Sequence, residues 1–229
     1  ISSLEFVFGA TPAFESAFSW MLLYSLFSLL CYDFMFFSFH YTMHKVPALW
    51  AIHKIHHTAE VLTPLTRTRE HFLAGPIWAT GSAFAFGVAA GLFAYLFNGG
   101  ITQATLFNVS FFSFLFGLTG AFRHYHIEFR YPRWLSVWIQ SPAMHHVHHS
   151  YLQKHWDTNM AAVTSIFDRL FGTLYISEKN EHTPWGIGPD TQDQYRSFWQ
   201  NTIGPFRDWY RMLSRGQSPQ AGAVPMPTE

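Results

Sequence analysis

Three long stretches of the chain are almost free of charged residues, and they dominate its hydrophobic pattern. They cover residues 17–39, 74–97 and 101–122. Asp33 is the single charged residue of the first stretch, and the other two contain none. Because about 20 apolar residues suffice for a helix to cross a bilayer, the pattern predicts three membrane-spanning helices. The alternative is three buried core helices of a soluble protein, but two uncharged runs of this length are rare in soluble domains.

The basic residues indicate how these helices are oriented. Only residues 98–100 separate the second and third stretches, so we expect a tight helical hairpin there. All 14 lysines and arginines lie at Lys45 or later, and none lies within 98–100. Since basic loops stay on the cytoplasmic side of a membrane, residues 40–73 and 123–229 are predicted to share the cytoplasm. Every histidine of the chain lies in one of these two segments.

The composition agrees with a membrane protein of one domain. Charged residues make up 12% of the 229 residues, against about a quarter in typical soluble domains. The formal net charge of zero argues against nucleic acid as a partner. Cys31 is the only cysteine, which excludes an internal disulfide and a cysteine-ligated zinc or iron–sulfur site. We assign residues 1–212 to a single membrane-embedded domain and the Pro-, Gly- and Ser-rich residues 213–229 to a disordered tail.

Two further segments, residues 130–140 and 194–213, mix aromatic with basic residues. In the first, Trp134 and Trp138 share one face of a short helix. We expect both segments to be amphipathic helices, either lying in the membrane interface or packed against the rest of the protein.

Histidine is unusually abundant, with 14 copies, and most copies fall in three spaced clusters. HYTMH (40–44) places two histidines at i and i+4, whereas HKIHH (53–57) and HHVHH (145–149) each place three at i, i+3 and i+4. On a helix, such residues project from one face. Neutral imidazole binds iron, zinc and copper, and eight imidazoles exceed what one ion needs. We therefore predict two metal ions held by His40, His44, His53, His56, His57, His145, His148 and His149.

Other histidines are weighed by their position. His124 directly follows the third apolar stretch, near the membrane level of His40, and we predict it as a ninth ligand. His71 and His126 are further candidates, as ligands, as supports of a ligand or as structural residues. His146 departs by about 100° from the arc of its neighbours on a helix, so we expect it not to bind metal.

Asp33 is the other residue of interest, because it lies within an apolar stretch. It precedes His40 by two helical turns and so shares a face with His40 and His44. An acidic residue inside a membrane span indicates a functional site. We predict that Asp33 accepts the second N–H of a ligating histidine and fixes its tautomer. The alternative is an interfacial carboxylate that reaches water.

The order of these elements resembles the fatty acid hydroxylase / sterol desaturase superfamily of membrane di-iron oxygenases. DFMFFSFHYTMH (33–44) resembles the acidic residue and first histidine box of that family, and TRTREH (66–71) resembles its Arg-x-His element. SPAMHHVHHS (141–150) and FDRLFGTLY (167–175) resemble the third box and the motif that follows it. The resemblance covers roughly residues 33–175.

The chain departs from the family pattern at three places around these motifs. Tyr41 stands where the family often has Arg, and DTNMAA (157–162) stands where it often has Asp-x-Asn-Tyr-Gly. His126 stands where Asn is common. Because these positions surround the ligands, they bear on the substrate more than on metal binding.

The resemblance implies an all-α integral membrane bundle whose cytoplasmic helical cap carries the histidine boxes. Members often have a fourth span upstream, and this chain begins at Ile1 rather than Met. The resemblance further implies two iron ions that activate O2 to hydroxylate or desaturate an unactivated C–H bond of a lipid or sterol-like substrate from the bilayer. Zinc could replace iron in a purified sample.

Electrons for such a reaction would come from an external donor. The sequence has no dinucleotide fingerprint, haem motif or cysteine cluster, so we expect a cytochrome b5-, ferredoxin- or reductase-type partner. Two other classes remain open: a zinc-binding membrane hydrolase or structural protein, and a histidine-lined transporter. Zinc has no redox chemistry, so metal identity separates the first from an oxygenase. A transporter would carry its ionisable groups at mid-membrane.

Overall fold

The computed structural model describes residues 2–10, 17–98 and 102–215 of the chain, which form α-helices joined by loops and short 3-10 turns. The α-helices are α1 (Ser2–Phe8), α2 (Phe18–Lys45), α3 (Pro47–His57), α4 (Ala74–Leu96), α5 (Thr102–Arg123), α6 (Arg133–Ser136), α7 (Pro142–His148), α8 (Ile166–Phe171), α9 (Pro189–Gln192) and α10 (Phe198–Arg215). Extended pairing within these ranges is limited to two isolated β-bridges. The expectation of an all-α fold is confirmed for the described part of the chain.

Within the part of the chain that the structure describes, two helices are long and apolar enough to cross a membrane. They are α2, with 28 residues, and α4, with 23, and each has a mean hydropathy of 1.6 over its most apolar window. They correspond to the first two predicted spans. Helix α5 matches the third predicted span in position and has 22 residues. Its crossing of the membrane stays a prediction, as does a span upstream.

One side of α2 exposes a row of large apolar side chains. Leu22, Leu26, Leu30 and Phe34 recur every four residues and are all exposed. They therefore form one largely exposed apolar stripe along the helix, and Phe34 at its end also contacts Phe167, with ring centroids 5.2 Å apart. A continuous exposed stripe of this kind is typical of a surface that contacts lipid or another apolar partner.

The opposite side of α2 packs against α4 and α5. Tyr24 of α2 lies against Phe93 of α4, with ring centroids 4.8 Å apart. Further along, the two helices approach closely at Gly81, where a Cβ atom would lie only 2.5 Å from Sδ of Met35. A larger residue at position 81 would displace the Met35 side chain from the contact between α2 and α4.

The helices that carry the histidine boxes meet at the end of α2. Val46 is extended and precedes Pro47, so α2 stops there and α3 turns back to pack against it. Helix α7 begins with Pro142 after Ser141, whose hydroxyl caps the backbone N–H of Met144. Helix α7 packs against α5, and α10 packs against α3.

The predicted amphipathic segments are only partly helical. Residues 130–140 form the four-residue helix α6, because Pro132 blocks helix before it, and both tryptophans of this segment are exposed. Residues 194–213 form α10 after a 3-10 turn. The first three residues of the predicted tail, 213–215, complete α10, and its remainder lies outside the described residues, as does most of the expected hairpin turn at 98–100.

Candidate metal centre

All nine histidines predicted as metal ligands lie in two buried groups. The first group is His40, His44, His53, His57 and His148, and the second group is His56, His124, His145 and His149. Within each group, one ring nitrogen per residue lies within 4.8 Å of all the others. Each group could therefore hold one metal ion.

The two HxxHH boxes contribute to both groups. Helix α3 sends His53 and His57 to the first group and His56 to the second. Helix α7 and its C-cap contribute one histidine, His148, to the first group and two, His145 and His149, to the second. The groups are therefore adjacent, and His57 stacks on His149 across them at 4.5 Å between ring centroids.

The ring nitrogens are spaced as ligands of a common ion would be. In the first group, Nε2 of His53 lies 2.9 Å from Nε2 of His40 and 3.3 Å from Nε2 of His57. In the second group, Nε2 of His145 lies 3.1 Å and 3.0 Å from Nε2 of His124 and His149. Imidazole nitrogens bind zinc at about 2.0–2.1 Å, so two ligands at right angles are roughly 3 Å apart. The separations therefore fit metal coordination.

Unpartnered nitrogens support the same conclusion. Nε2 of His44 and Nε2 of His148 are buried, and neither has a hydrogen-bond partner. A buried polar atom without a partner is costly, and a bound metal ion would satisfy both atoms. The structure thus fits the predicted metal pair.

One segment fixes the orientation of three imidazoles in the first group. Nδ1 of His40 donates to the carbonyl of Met160 at 2.7 Å, and Nδ1 of His148 donates to the carbonyl of Thr158 at 2.8 Å. Nδ1 of His44 lies 3.7 Å from a carboxylate oxygen of Asp157. These contacts leave Nε2 of each ring free for metal, and such outer partners fix the tautomer and raise the basicity of a ligand.

Two buried carboxylates hold this segment in place. Asp168 accepts the backbone N–H groups of Met160 and Ala161 at 2.7 and 3.0 Å. Asp33 accepts those of the next three residues, 162–164, each at 2.9 Å. Five consecutive backbone N–H groups are thus bound by two side chains, so the carbonyl groups beside the first group of histidines have little freedom.

The contacts of Asp33 differ from those expected from the sequence. No hydrogen bond joins Asp33 to a histidine within the described ranges, because both of its oxygens are occupied by residues 162–164. Asp33 instead acts one step away, through the segment whose Met160 carbonyl receives His40. Being buried, it is also not a carboxylate that reaches water.

The remaining histidine candidates are not brought to either group. Both ring nitrogens of His71 have backbone partners, the carbonyl of Thr202 at 3.0 Å and the N–H of Leu73 at 3.4 Å. His126 is exposed. His146 lies outside both groups and donates to the carbonyl of Tyr125 at 2.8 Å, in line with the expectation that it points away from the metals.

The electrostatic environment keeps the ligand histidines neutral. Burial, followed by the neighbouring histidines, holds the pKa of His145 and His149 well below the ordinary value. Burial likewise lowers the pKa of His56 to about 4. Only the neutral imidazole binds metal, so these side chains are ready to bind at neutral pH.

A cavity of about 160 Å³ opens on both groups. Five of the nine histidines line it, together with three aromatic residues of α2 and α4 and three ionisable residues: His40, His53, His56, His124, His145, Tyr32, Phe36, Trp78, Arg67, Glu70 and Arg123. Burial raises the pKa of Glu70 to about 7. A small molecule in this cavity would touch both candidate metal sites.

The amino-acid sequence of this chain is similar to those of known proteins. The family model described as fatty acid hydroxylase matches residues 25–173, which include all nine histidines of the two groups. Alkylglycerol monooxygenase of Xenopus tropicalis is 26% identical over 181 residues, which is 73% of this chain and 32% of that protein. The chain therefore spans about a third of the length of this relative. No solved structure matches the chain significantly.

Proposed function

The chain belongs to the fatty acid hydroxylase family, and we propose on this basis that it is a membrane enzyme that hydroxylates a C–H bond of a lipid with O2. The observation that carries the proposal is the pair of buried, all-histidine groups that share two boxes and open on one cavity. The name monooxygenase of the amphibian relative agrees with oxygen insertion.

In this proposal the nine histidines hold two iron ions, which when bound supply the redox chemistry that activates O2. The chain's own residues prepare the site. The carbonyl groups of Thr158 and Met160 orient ligand rings. Phe36 and Trp78 stack with ring centroids 4.7 Å apart on the wall of the cavity, and they exclude water from the reacting atoms.

The reaction needs electrons that the chain does not supply. Hydroxylation converts a C–H bond, O2, two electrons and two protons into C–OH and one water molecule. Since the sequence contains no motif for flavin, haem or nicotinamide binding, we propose an external electron donor of cytochrome b5, ferredoxin or reductase type. Desaturation begins with the same hydrogen abstraction and is the alternative outcome at this centre.

The membrane setting is also part of the proposal. We propose that α2, α4 and α5 cross the bilayer and that the histidine boxes face the cytoplasm. The exposed apolar stripe of α2 and the placement of all basic residues at or after Lys45 support this arrangement. A lipid could then reach the cavity sideways from the bilayer.

The test is oxidation of lipids by the purified protein. The protein is loaded with ferrous iron, supplied with a chemical reductant and a total lipid extract, and exposed to O2 enriched in oxygen-18. We expect lipids that gain one oxygen-18 atom in the presence of the protein but not of the His148→Ala variant. Absence of any O2-dependent product, or lipid hydrolysis by the zinc-loaded protein, would favour the zinc hydrolase alternative.

A further inference from the structure

Arg123 is a buried cation on the wall of the metal cavity. It ends α5, directly precedes His124 and is only 9% exposed. Its Nε atom is buried and has no hydrogen-bond partner, and no salt bridge joins it to any carboxylate of residues 17–98 or 102–215. A buried guanidinium group with an unpartnered N–H and no salt bridge is unfavourable, and an anion bound beside it would relieve that cost.

The nearby acidic residues do not form a salt bridge with Arg123. Asp33 is close enough to act electrostatically on Arg123, but both of its oxygens are bound by residues 162–164. Glu70 lines the same cavity as Arg123 and Arg67. Because one carboxyl group and two guanidinium groups line the cavity, the charges of its lining residues sum to a positive value even when Glu70 is ionised.

The metal centre increases this excess of positive charge. All nine residues of the two groups are histidines, and neutral imidazoles bring no negative charge to balance a bound cation. Two divalent ions would thus add four positive charges next to Arg123. An anionic group of a ligand would offset charge that the protein itself leaves uncompensated.

We propose that Arg123 binds the anionic head group of the lipid substrate, a carboxylate or a phosphate, inside this cavity. This inference rests on the proposed function and names the class of substrate. The cavity of about 160 Å³ has room for several groups of the size of a water molecule. It therefore holds a head group and the first carbons of a chain, whose remainder extends towards the bilayer. The C–H bond that reacts is then close to the head group.

The test is equilibrium binding of three lipids that share one alkyl chain: hexadecanoate, hexadecyl phosphate and hexadecanol. The protein is loaded with zinc, which fills the metal sites without turnover. We expect the wild type to bind at least one anion about tenfold more tightly than the alcohol. Charge-assisted hydrogen bonds contribute enough that Arg123→Gln should weaken the favoured anion about 10–100-fold and leave hexadecanol unchanged. Which anion binds more tightly identifies the head group.

Arg133→Gln is the matched control, because it removes an exposed arginine that lies outside the cavity. It should bind all three lipids as the wild type does. Equal affinity of the wild type for the alcohol and both anions would overturn the proposal without any variant. An anion preference that survives in folded Arg123→Gln would also overturn it, because the metal ions would then hold the anion.

A milder variant covers the case in which Arg123→Gln does not fold. Arg123→Lys keeps the charge but not the planar, forked geometry, so we expect anion binding several-fold weaker than in the wild type. Unchanged anion affinity in Arg123→Lys would contradict the assignment. Because binding is measured without turnover, a protein that prefers anions but never oxidises lipids would refute the proposed function and leave the anion site standing.

Discussion

Replacing Asp33 by Asn tests whether a side chain without contact to any metal ligand supports the metal centre. Oδ1 of Asp33 accepts the N–H groups of Ala162 and Val163, and Oδ2 accepts the N–H and the hydroxyl of Thr164. Asn keeps the shape of the side chain but replaces one oxygen by an NH2 group. With the NH2 group in the place of Oδ2, the Thr164 hydroxyl can turn and accept from it, but the backbone N–H of Thr164 loses its acceptor.

The size of the effect follows from these contacts. A hydrogen bond to a charged group contributes about 1.5–3 kcal/mol, so the lost bond costs about that much before any relief from removing a buried charge. If the displaced Met160 carbonyl weakens metal binding by His40 by about 1.4–2.7 kcal/mol, the metal affinity falls about 10–100-fold. We expect a loss of this size in iron affinity and a comparable loss of activity.

The assay is the rate at which a chelator removes iron from the purified protein, together with iron content per chain. Thr164→Val removes only the hydroxyl group that donates to Asp33 and should shift the release rate in the same direction by less. Ser25→Ala is the matched control, because it removes a buried hydrogen bond to Met21 within the same helix. Iron release from Asp33→Asn at the wild-type rate would refute the role assigned to the segment.

Three further predictions concern the ligands, the pH dependence and the orientation. His148→Ala should lower the metal content towards one ion per chain, whereas His146→Gln, outside both groups, should keep two, as measured by elemental analysis. Because the pKa of folded His56 is about 4 and an unfolded histidine titrates near 6.5, the metal-free protein should keep its stability above pH 6.5 and lose it as pH falls towards 4. His56 alone accounts for about 3 kcal/mol of this loss, and a flat melting temperature from pH 7 to 5 would contradict it. In a background without the native cysteine, a cysteine at Gly99 should react with an impermeant reagent outside the cell and one at Lys179 should not, and the reverse pattern would invert the topology.

Eight of the nine histidines were predicted from their spacing, which is a local property, whereas His124 was predicted from its position after the third apolar stretch. Residues at i, i+3 and i+4 of a helix share a face wherever the helix lies, so each box could be recognised alone. How a box divides between two groups is not local. It depends on where α3 and α7 lie relative to each other, which is why His56 and His57 are in different groups.

The supports of the ligands escaped prediction for a different reason. The partners of Asp33 lie about 130 residues further along the chain, beyond the reach of a local pattern. The Met160 carbonyl belongs to the backbone, which every residue has, so the residue type does not indicate its role. Asp168 was recognisable only as part of FDRLFGTLY, without a role. His71 and His126 belong to no helical repeat, so the sequence offered no geometry to decide their place.

The measurement that bears most directly on the central claim is a Mössbauer spectrum of the protein reconstituted with iron-57, combined with iron content per chain. A group of five histidines beside a group of four predicts two iron ions per chain in two different environments. One iron per chain, or a wild-type protein that retains no iron under these conditions, would contradict a two-metal centre built from these nine histidines.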